Sequence, residues 1–283
     1  DPGSESIRGV GGTRNCDWWF ASEAVLIDTA GRYTTQDSDR DADRTAWLGF
    51  LDLLRRHRPR CPINGVLLAV CASDLLQATP ERVAAQAAEL RQRLDEINTR
   101  LGMGVPVYVL VTKTDLLPGF AEFFADFDPH VRAQVWGATL PLGASGMQWH
   151  GEMDALEARL HEQMFDRLAH ERGRPCSAAI HAFPAQWRRL SQATLQLLHA
   201  VASVGGHTAP MLRGLYFTSA TQDAAPNQRT GGGSYFVTRL LRDVVFAESG
   251  LVGGTSRGSR RRLLVERAVL AASAVAMTAA LGL

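Results

Sequence analysis

A strand, helix and strand between Gly65 and Val111 restrict the fold of this chain more than any other stretch of it. Gly65 to Cys71 (GVLLAVC) is an unbroken apolar run of strand length, the pattern of a strand covered on both faces. Thr79-Pro80-Glu81 then supplies an N-cap, a first-turn proline and a first-turn acid, and Val83, Ala87, Leu90, Leu94, Ile97 and Leu101 follow at helical spacing. Val105 to Val111 (VPVYVLV) returns as a second buried strand. Two such strands joined through a helix make a crossover unit, so the expected class is α/β, with a mostly parallel sheet flanked by helices. In open sheets of that kind, ligands bind beyond the carboxyl ends of the strands.

The remaining elements are read around this unit. Trp18-Trp19-Phe20 and Ala24 to Ile27, separated by Ser22-Glu23, suggest a two-stranded hairpin whose second strand ends at Asp28. Trp47, Phe50, Leu51 and Leu54 form one helix face after the charged stretch Asp39 to Arg44, and Pro59 and Pro62 stop that helix. Met153, Leu156, Leu160, Met164 and Leu168 mark a further helix. Ala178 to Phe183 reads as a strand, followed by a helix from Pro184 through Trp187, Leu190, Leu197 and Val201, and Leu215 to Thr218 as another strand. After a polar loop from Gln222 to Gly233, an amphipathic helix is expected to contain Phe236, Leu240 and Val244.

Charge narrows the chemistry through one residue. The formal net charge of +1 gives no general attraction to nucleic acid. Basic charge is almost wholly arginine, and Lys113 is the only lysine. Cys16, Cys61, Cys71 and Cys176 are far apart, without a CxxC pair, so thiols are expected in place of a zinc site or a disulfide framework. Trp47, Trp136, Trp149 and Trp187 are expected as core or interface anchors.

Two short motifs stand at strand ends. Asp28-Thr29-Ala30-Gly31 has the form DxxG. An aspartate there can hold the water shell of Mg²⁺, which favours one or two carboxylates plus water and phosphate, and Gly31 lets its backbone N–H approach a γ-phosphate. The same residues also suit an ordinary turn. Thr112-Lys113-Thr114-Asp115 follows the second strand of the crossover unit and has the form TKxD. Guanine offers N1–H and a 2-amino group side by side, a donor pair that the carboxylate of Asp115 can accept, and the Lys113 stem can lie along the base face. Asp28, Gly31 and Thr13 are therefore candidates for the phosphate and Mg²⁺ side, with Asp28 acting on the metal through water, and Thr112, Lys113 and Asp115 for the base side. Thr13 equally suits a glycine-rich turn. No catalytic residue is assigned, and Arg32, after the glycine, has no acceptor with which to orient a water.

A phosphate-binding GxxxxGK[ST] loop needs a lysine after a glycine, and Lys113, the only lysine, follows Thr112, so no such loop lies in this chain. The chain also opens on Asp1-Pro2-Gly3 without a signal sequence. The reading is a fragment whose first strand and phosphate loop lie upstream, with negligible triphosphate affinity of its own.

Beyond these motifs, Gly11 to Tyr33 (GGTRNCDWWFASEAVLIDTAGRY), Val105 to Pro118 (VPVYVLVTKTDLLP), Val135-Trp136-Gly137 and Arg213 to Gln222 (RGLYFTSATQ) resemble the TssM/IcmF family of type VI secretion inner-membrane proteins. The resemblance runs over essentially the whole chain. It implies a P-loop GTPase-like core, Mg²⁺ with GTP or ATP in the full-length protein, and nucleotide that gates assembly or secretion. It also implies partners: a TssL-like membrane protein, a TssJ-like lipoprotein through a periplasmic region, baseplate proteins and further copies of the chain, with no nucleic acid. Two other classes remain open, a truncated stand-alone GTPase and a degenerate GTPase-fold interaction module that binds no nucleotide.

The organisation expected from sequence is a GTPase-like core over residues 1–150, a helical and α/β extension over 151–256, and a basic linker with the start of a transmembrane helix over 257–283. Ala268 to Leu283 carries no charge, and Arg257, Arg260, Arg261, Arg262 and Arg267 precede it, which places residues 1–262 in the cytoplasm of a bacterial inner-membrane protein by the positive-inside rule. Its 16 residues fall short of a full span, which needs roughly 20.

Overall fold

Whether a strand alternates or is apolar throughout reports how many of its faces are covered, and the central strands here are covered twice. The protein is described by a computed structural model that covers residues 16–29, 40–144, 146–170, 177–203, 209–220 and 234–254. In chain order its elements begin with the hairpin β1 (Asp17–Phe20) and β2 (Val25–Asp28), followed by α1 (Arg40–His57) and β3 (Val66–Cys71). Next come α2 (Ala72–Gln77), α3 (Pro80–Leu101), β4 (Met103–Gly104) and β5 (Pro106–Thr112). The short α4 (Phe120–Phe123) and α5 (Pro129–Arg132) precede β6 (Gly137–Thr139), α6 (Gly146–His170), α7 (Ser177–Ser203) and β7 (Met211–Phe217). Three two-residue strands, β8 (Ser219–Ala220), β9 (Ser234–Tyr235) and β10 (Gly253–Gly254), flank a π-helix over Leu240–Phe246.

The main sheet has the order β3-β5-β7-β6. β3, β5 and β7 are parallel, and β6 adds an antiparallel edge, so the sheet is mixed. The crossover from β3 to β5 through α3 is the one the sequence implies. Thr79 caps α3, its side chain accepting from the Arg82 N–H at 3.3 Å. β7 comes from beyond residue 150 and lies between β5 and β6, while α7 packs on α3.

Alternate residues of β5 face two different layers. Val107, Val109 and Val111 join Ala87, Leu90 and Leu94 of α3 and Phe183, Trp187 and Leu190 of α7 in the largest apolar cluster. Tyr108 and Leu110 point the other way and pack, with Tyr216, against Leu240 of the π-helix. Burying each of these large side chains stabilises the fold by about 1.5–3 kcal/mol. A knot of rings closes the first layer at its end: Phe123 and Phe183 lie 4.7 Å apart, Trp136 and Phe217 5.2 Å, and Trp187 and Phe217 5.3 Å. Trp47, Trp136, Trp149 and Trp187 are all buried, as anchors should be.

On the second layer, Glu248 accepts from the Tyr108 hydroxyl at 2.8 Å and from Arg213 Nε at 2.8 Å. Burial would raise the Glu248 carboxyl, but these bonds outweigh it and hold it below the ordinary carboxylate range. Burial in the same layer pushes the Tyr216 phenol up to about 12.

Two expectations fail here for local reasons. Ala178 to Phe183 is not a strand, and α7 does not begin at Pro184; one helix runs from Ser177 through Pro184 to Ser203. Ile180, Phe183, Trp187 and Leu190 recur at helical spacing and are at most 1% exposed, so burial of that stripe overrides the break that proline suggests. Phe236 does not lie within a helix either. Its φ of 64° is left-handed, and the helix that follows is wound as a π-helix from Leu240 onward.

Cys16, Cys61 and Cys71 are free thiols. No helix among the described residues is long and apolar enough to cross a membrane. The apolar run 268–283 and its preceding arginines lie outside the described residues.

Candidate functional site

Parallel pairing brings three strand ends to one edge of the sheet. Cys71 of β3 stands opposite Thr112 of β5, and Val111 of β5 opposite Phe217 of β7. The loop after β5 and the residues after β7 therefore lie side by side at the carboxyl edge. This follows from the register alone, before any side chain is considered.

The loop after β5 is held at each residue. Thr112 Oγ1 donates to the Val70 carbonyl of β3 at 3.3 Å. Lys113 has φ 57°, left-handed backbone that is unfavourable for a residue with a side chain, and it is exposed. Its turn lets the chain enter a 3-10 turn over Thr114–Leu116. Thr114 is fully buried and donates twice to the Thr218 carbonyl, from its N–H at 3.3 Å and its hydroxyl at 3.0 Å. Leu117 and Phe120 then sink into the core and anchor the far end of the loop.

Asp115 is half-buried, and Ser219 Oγ donates to its Oδ1 at 2.5 Å. A charge-assisted bond of this kind fixes the orientation of the carboxylate. The loop presents an exposed lysine beside an aspartate whose carboxylate is oriented by a partner that is itself on a strand end. Thr112, Lys113 and Asp115 are thus brought together. Ser219 was not singled out from the sequence, where it stands inside Arg213 to Gln222 without a recognised role. Its signal was its place immediately beyond a third apolar strand, Leu215 to Thr218, on the edge that already carried TKTD.

The other candidate residues are placed differently. Asp28 ends β2 and is exposed, on a two-stranded sheet separate from β3-β5-β7-β6. Asp17 stands directly opposite it in the hairpin register. One carboxylate is within what Mg²⁺ accepts when water and phosphate supply the rest, so Asp28 fits that ion in part. Among the described residues no group of three or more histidine, cysteine or acidic side chains could hold a metal by itself. Gly31, Thr13 and Arg32 lie outside the described residues.

The hairpin meets the rest of the molecule through side chains. Cys16 and Ile27 pack against the cluster of Trp47, Leu51, Leu54, Ile97, Leu101, Met103 and Val105. Glu23 in the turn pairs with Arg242 of the π-helix at 3.5 Å. Trp18, Trp19 and Phe20 are 48%, 63% and 78% exposed.

Comparison with known proteins gives a consistent picture. Residues 40–273 match the IcmF-related N-terminal domain family. The sequence is 43% identical over 304 aligned positions to the type VI secretion system component TssM1 of Pseudomonas aeruginosa strain PAO1. That alignment takes in 98% of this chain and 28% of the relative, so the chain spans less than a third of that protein's length. No solved structure matches the chain.

Proposed function

The chain belongs to the TssM/IcmF family, and from that premise we propose that it is the NTPase-like domain of a type VI secretion membrane-complex scaffold, in which bound nucleotide gates assembly or secretion. The observation that carries the nucleotide part of this reading is Asp115, held by Ser219 at the carboxyl edge of three parallel strands. Guanine is the base that such an acceptor reads best, because adenine lacks the paired N1–H and 2-amino donors.

On this reading the base is held by Asp115 and Lys113, with Ser219 and Thr114 bracing the loop. Asp28 carries Mg²⁺ through water, and the metal supplies charge neutralisation for the phosphates. The phosphate cradle is proposed to lie outside the part of the protein that this chain spans, which is 28% of the relative's length. β3 leaves one edge without a strand partner among the described residues, and a further parallel strand there would carry such a cradle to the same carboxyl edge. This chain alone holds triphosphate negligibly, and hydrolysis is not assigned to it.

The whole protein then sits in the inner membrane, with this domain on the cytoplasmic side. A TssL-like membrane protein, a TssJ-like lipoprotein, baseplate proteins and further copies of the chain are its proposed partners.

Labelled-GTP binding to a version extended upstream tests this reading. Saturable, Mg²⁺-dependent binding that disappears with Asp115→Ala supports it. Absence of any saturable nucleotide binding in that longer protein rejects it and leaves a GTPase-fold interaction module.

A further inference from the structure

Two described residues other than glycine have positive φ, Lys113 and Phe236, and one hydrogen-bonded path connects them. It starts in the loop after β5, where Thr114 donates to Thr218 and Asp115 accepts from Ser219. Ser219 is also the first residue of β8, and it pairs with Tyr235 of β9. The next residue, Phe236, donates its N–H to the Arg132 carbonyl at 2.6 Å and sets its ring 5.2 Å from that of Trp136. Arg239 N–H donates to the Ala133 carbonyl at 3.2 Å, so α5 fixes the direction in which the chain enters the π-helix.

Beyond that helix the chain is clasped to the underside of the sheet. Leu240 is fully buried on Tyr108, Leu110 and Tyr216. Glu248 is gripped by Tyr108 and Arg213, and the Ser249 carbonyl accepts from Asn64 Nδ2 at 2.8 Å. Gly253 and Gly254 pair with Gly104 and Met103 of β4. In the sequence, the arginine-rich stretch and the apolar run come next.

A π-helix has a discrete alternative. Its i→i+5 bonds close rings one residue longer than the i→i+4 bonds of an α-helix, and expelling one such extra residue on rewinding to α moves every later residue by one position. One position is about 100° around a helix axis, enough to carry Glu248 off Tyr108 and Arg213. The left-handed backbone at Phe236 lies where such a change would be absorbed, between the β8–β9 pair and the first helical turn.

We propose that Tyr235 to Gly254 is a two-position relay that couples the loop holding Asp115 to the segment leading toward the arginine-rich stretch. The π-wound, Glu248-clasped position is the one that goes with a braced Asp115. Loosening the Asp115–Ser219 bond favours the rewound, unclasped position, and a ligand on Asp115 acts on the same equilibrium. The identity of that ligand rests on the nucleotide reading above; the mechanical link does not. Side-chain and backbone bonds join Asp115, Ser219, Tyr235 and the entry to the π-helix in one continuous path.

Amide hydrogen exchange on the full chain, without nucleotide, tests the link at both ends. Ser219→Ala should accelerate exchange of amides in 240–254 by about tenfold relative to those of β3 and α3. Coupling is reciprocal, so Glu248→Gln should accelerate amides in 112–117 to a similar degree. Thr194→Val, which removes the buried hydroxyl bonded to the Leu190 carbonyl on α7, is the control off the path and should accelerate neither segment selectively. Acceleration confined to the mutated element overturns the relay, and so does a uniform rise across the chain. If Ser219→Ala does not fold, Glu248→Gln reads the same coupling from the other end. Because no nucleotide is present, failure here leaves the nucleotide reading untouched, and failure of GTP binding leaves the relay standing.

Discussion

The loop that carries Asp115 and the hairpin that carries Asp28 look alike in sequence, each with an acid at or just beyond the end of an apolar strand, yet they are held in different ways. The first sits on a three-strand parallel edge with its residues bonded to neighbouring strands. The second belongs to an isolated pair of strands that leans on the domain through Cys16, Ile27 and Glu23 and leaves an aromatic strand exposed. A site residue fixed by sheet register has its geometry settled by the sheet. One carried on a hairpin takes its geometry from whatever packs against that hairpin.

The largest effect that would sharpen this contrast is in the core beneath the Asp115 loop. Trp187→Ala removes a fully buried ring from the cluster around Trp136 and Phe217 and should cost about 3–5 kcal/mol in denaturant unfolding. A loss below about 1 kcal/mol would mean that the loop does not depend on that core. Gly119→Ala comes next. Gly119 has φ 85°, and a Cβ there would stand 2.5 Å from the Ala179 carbonyl, so a loss of about 2 kcal/mol or more is expected by the same measurement.

A smaller effect comes from Ser219→Ala, which removes the brace on Asp115 and should cost about 1.5–3 kcal/mol, the range for a hydrogen bond to a charged group. An unchanged unfolding midpoint would break the claim that Ser219 holds the loop.

Acid should act through Glu248. Its folded carboxyl is depressed by Arg213 and Tyr108 against the opposing effect of burial, so the unfolded state binds the proton more readily. The stabilisation is therefore present above the unfolded carboxylate range, near pH 4.3, and is lost as pH falls through the lower folded value. Glu248→Gln should flatten this part of the stability profile in denaturation series from pH 6 down to 3. An equally steep profile in the variant would assign the acid sensitivity to other carboxylates.

At the small end stands the hairpin itself. Trp19→Ser exchanges a ring that is already 63% exposed and should change stability by no more than about 0.5 kcal/mol. A loss of several kcal/mol would show that the hairpin is as integral as the parallel edge, and the contrast would fall.

The parts of this fold that were legible in the sequence are those where one local rule had no competitor. The crossover from β3 to β5 was written in two unbroken apolar runs and a capped helix, and the TKTD loop followed from where the second run stopped. α7 was misread at its start because Pro184 looked like a boundary, while the stripe from Ile180 to Leu190 carried the helix through it. The π-helix could not be read, since its apolar spacing satisfies an ordinary amphipathic helix equally well. Ser219 escaped for a related reason: a lone serine beyond a strand acquires meaning only when parallel pairing sets it beside Asp115.

Asp115 is the residue proposed to read the purine. The most direct measurement compares GTP, ATP and XTP binding to the upstream-extended protein with and without Asp115→Asn. Xanthine carries an oxygen where guanine carries the 2-amino group, so an asparagine amide can donate where the aspartate accepted. Base recognition by Asp115 predicts GTP preference in the native protein and a switch toward XTP in the variant. Equal affinities in both proteins, or no saturable binding of any of the three, would contradict it.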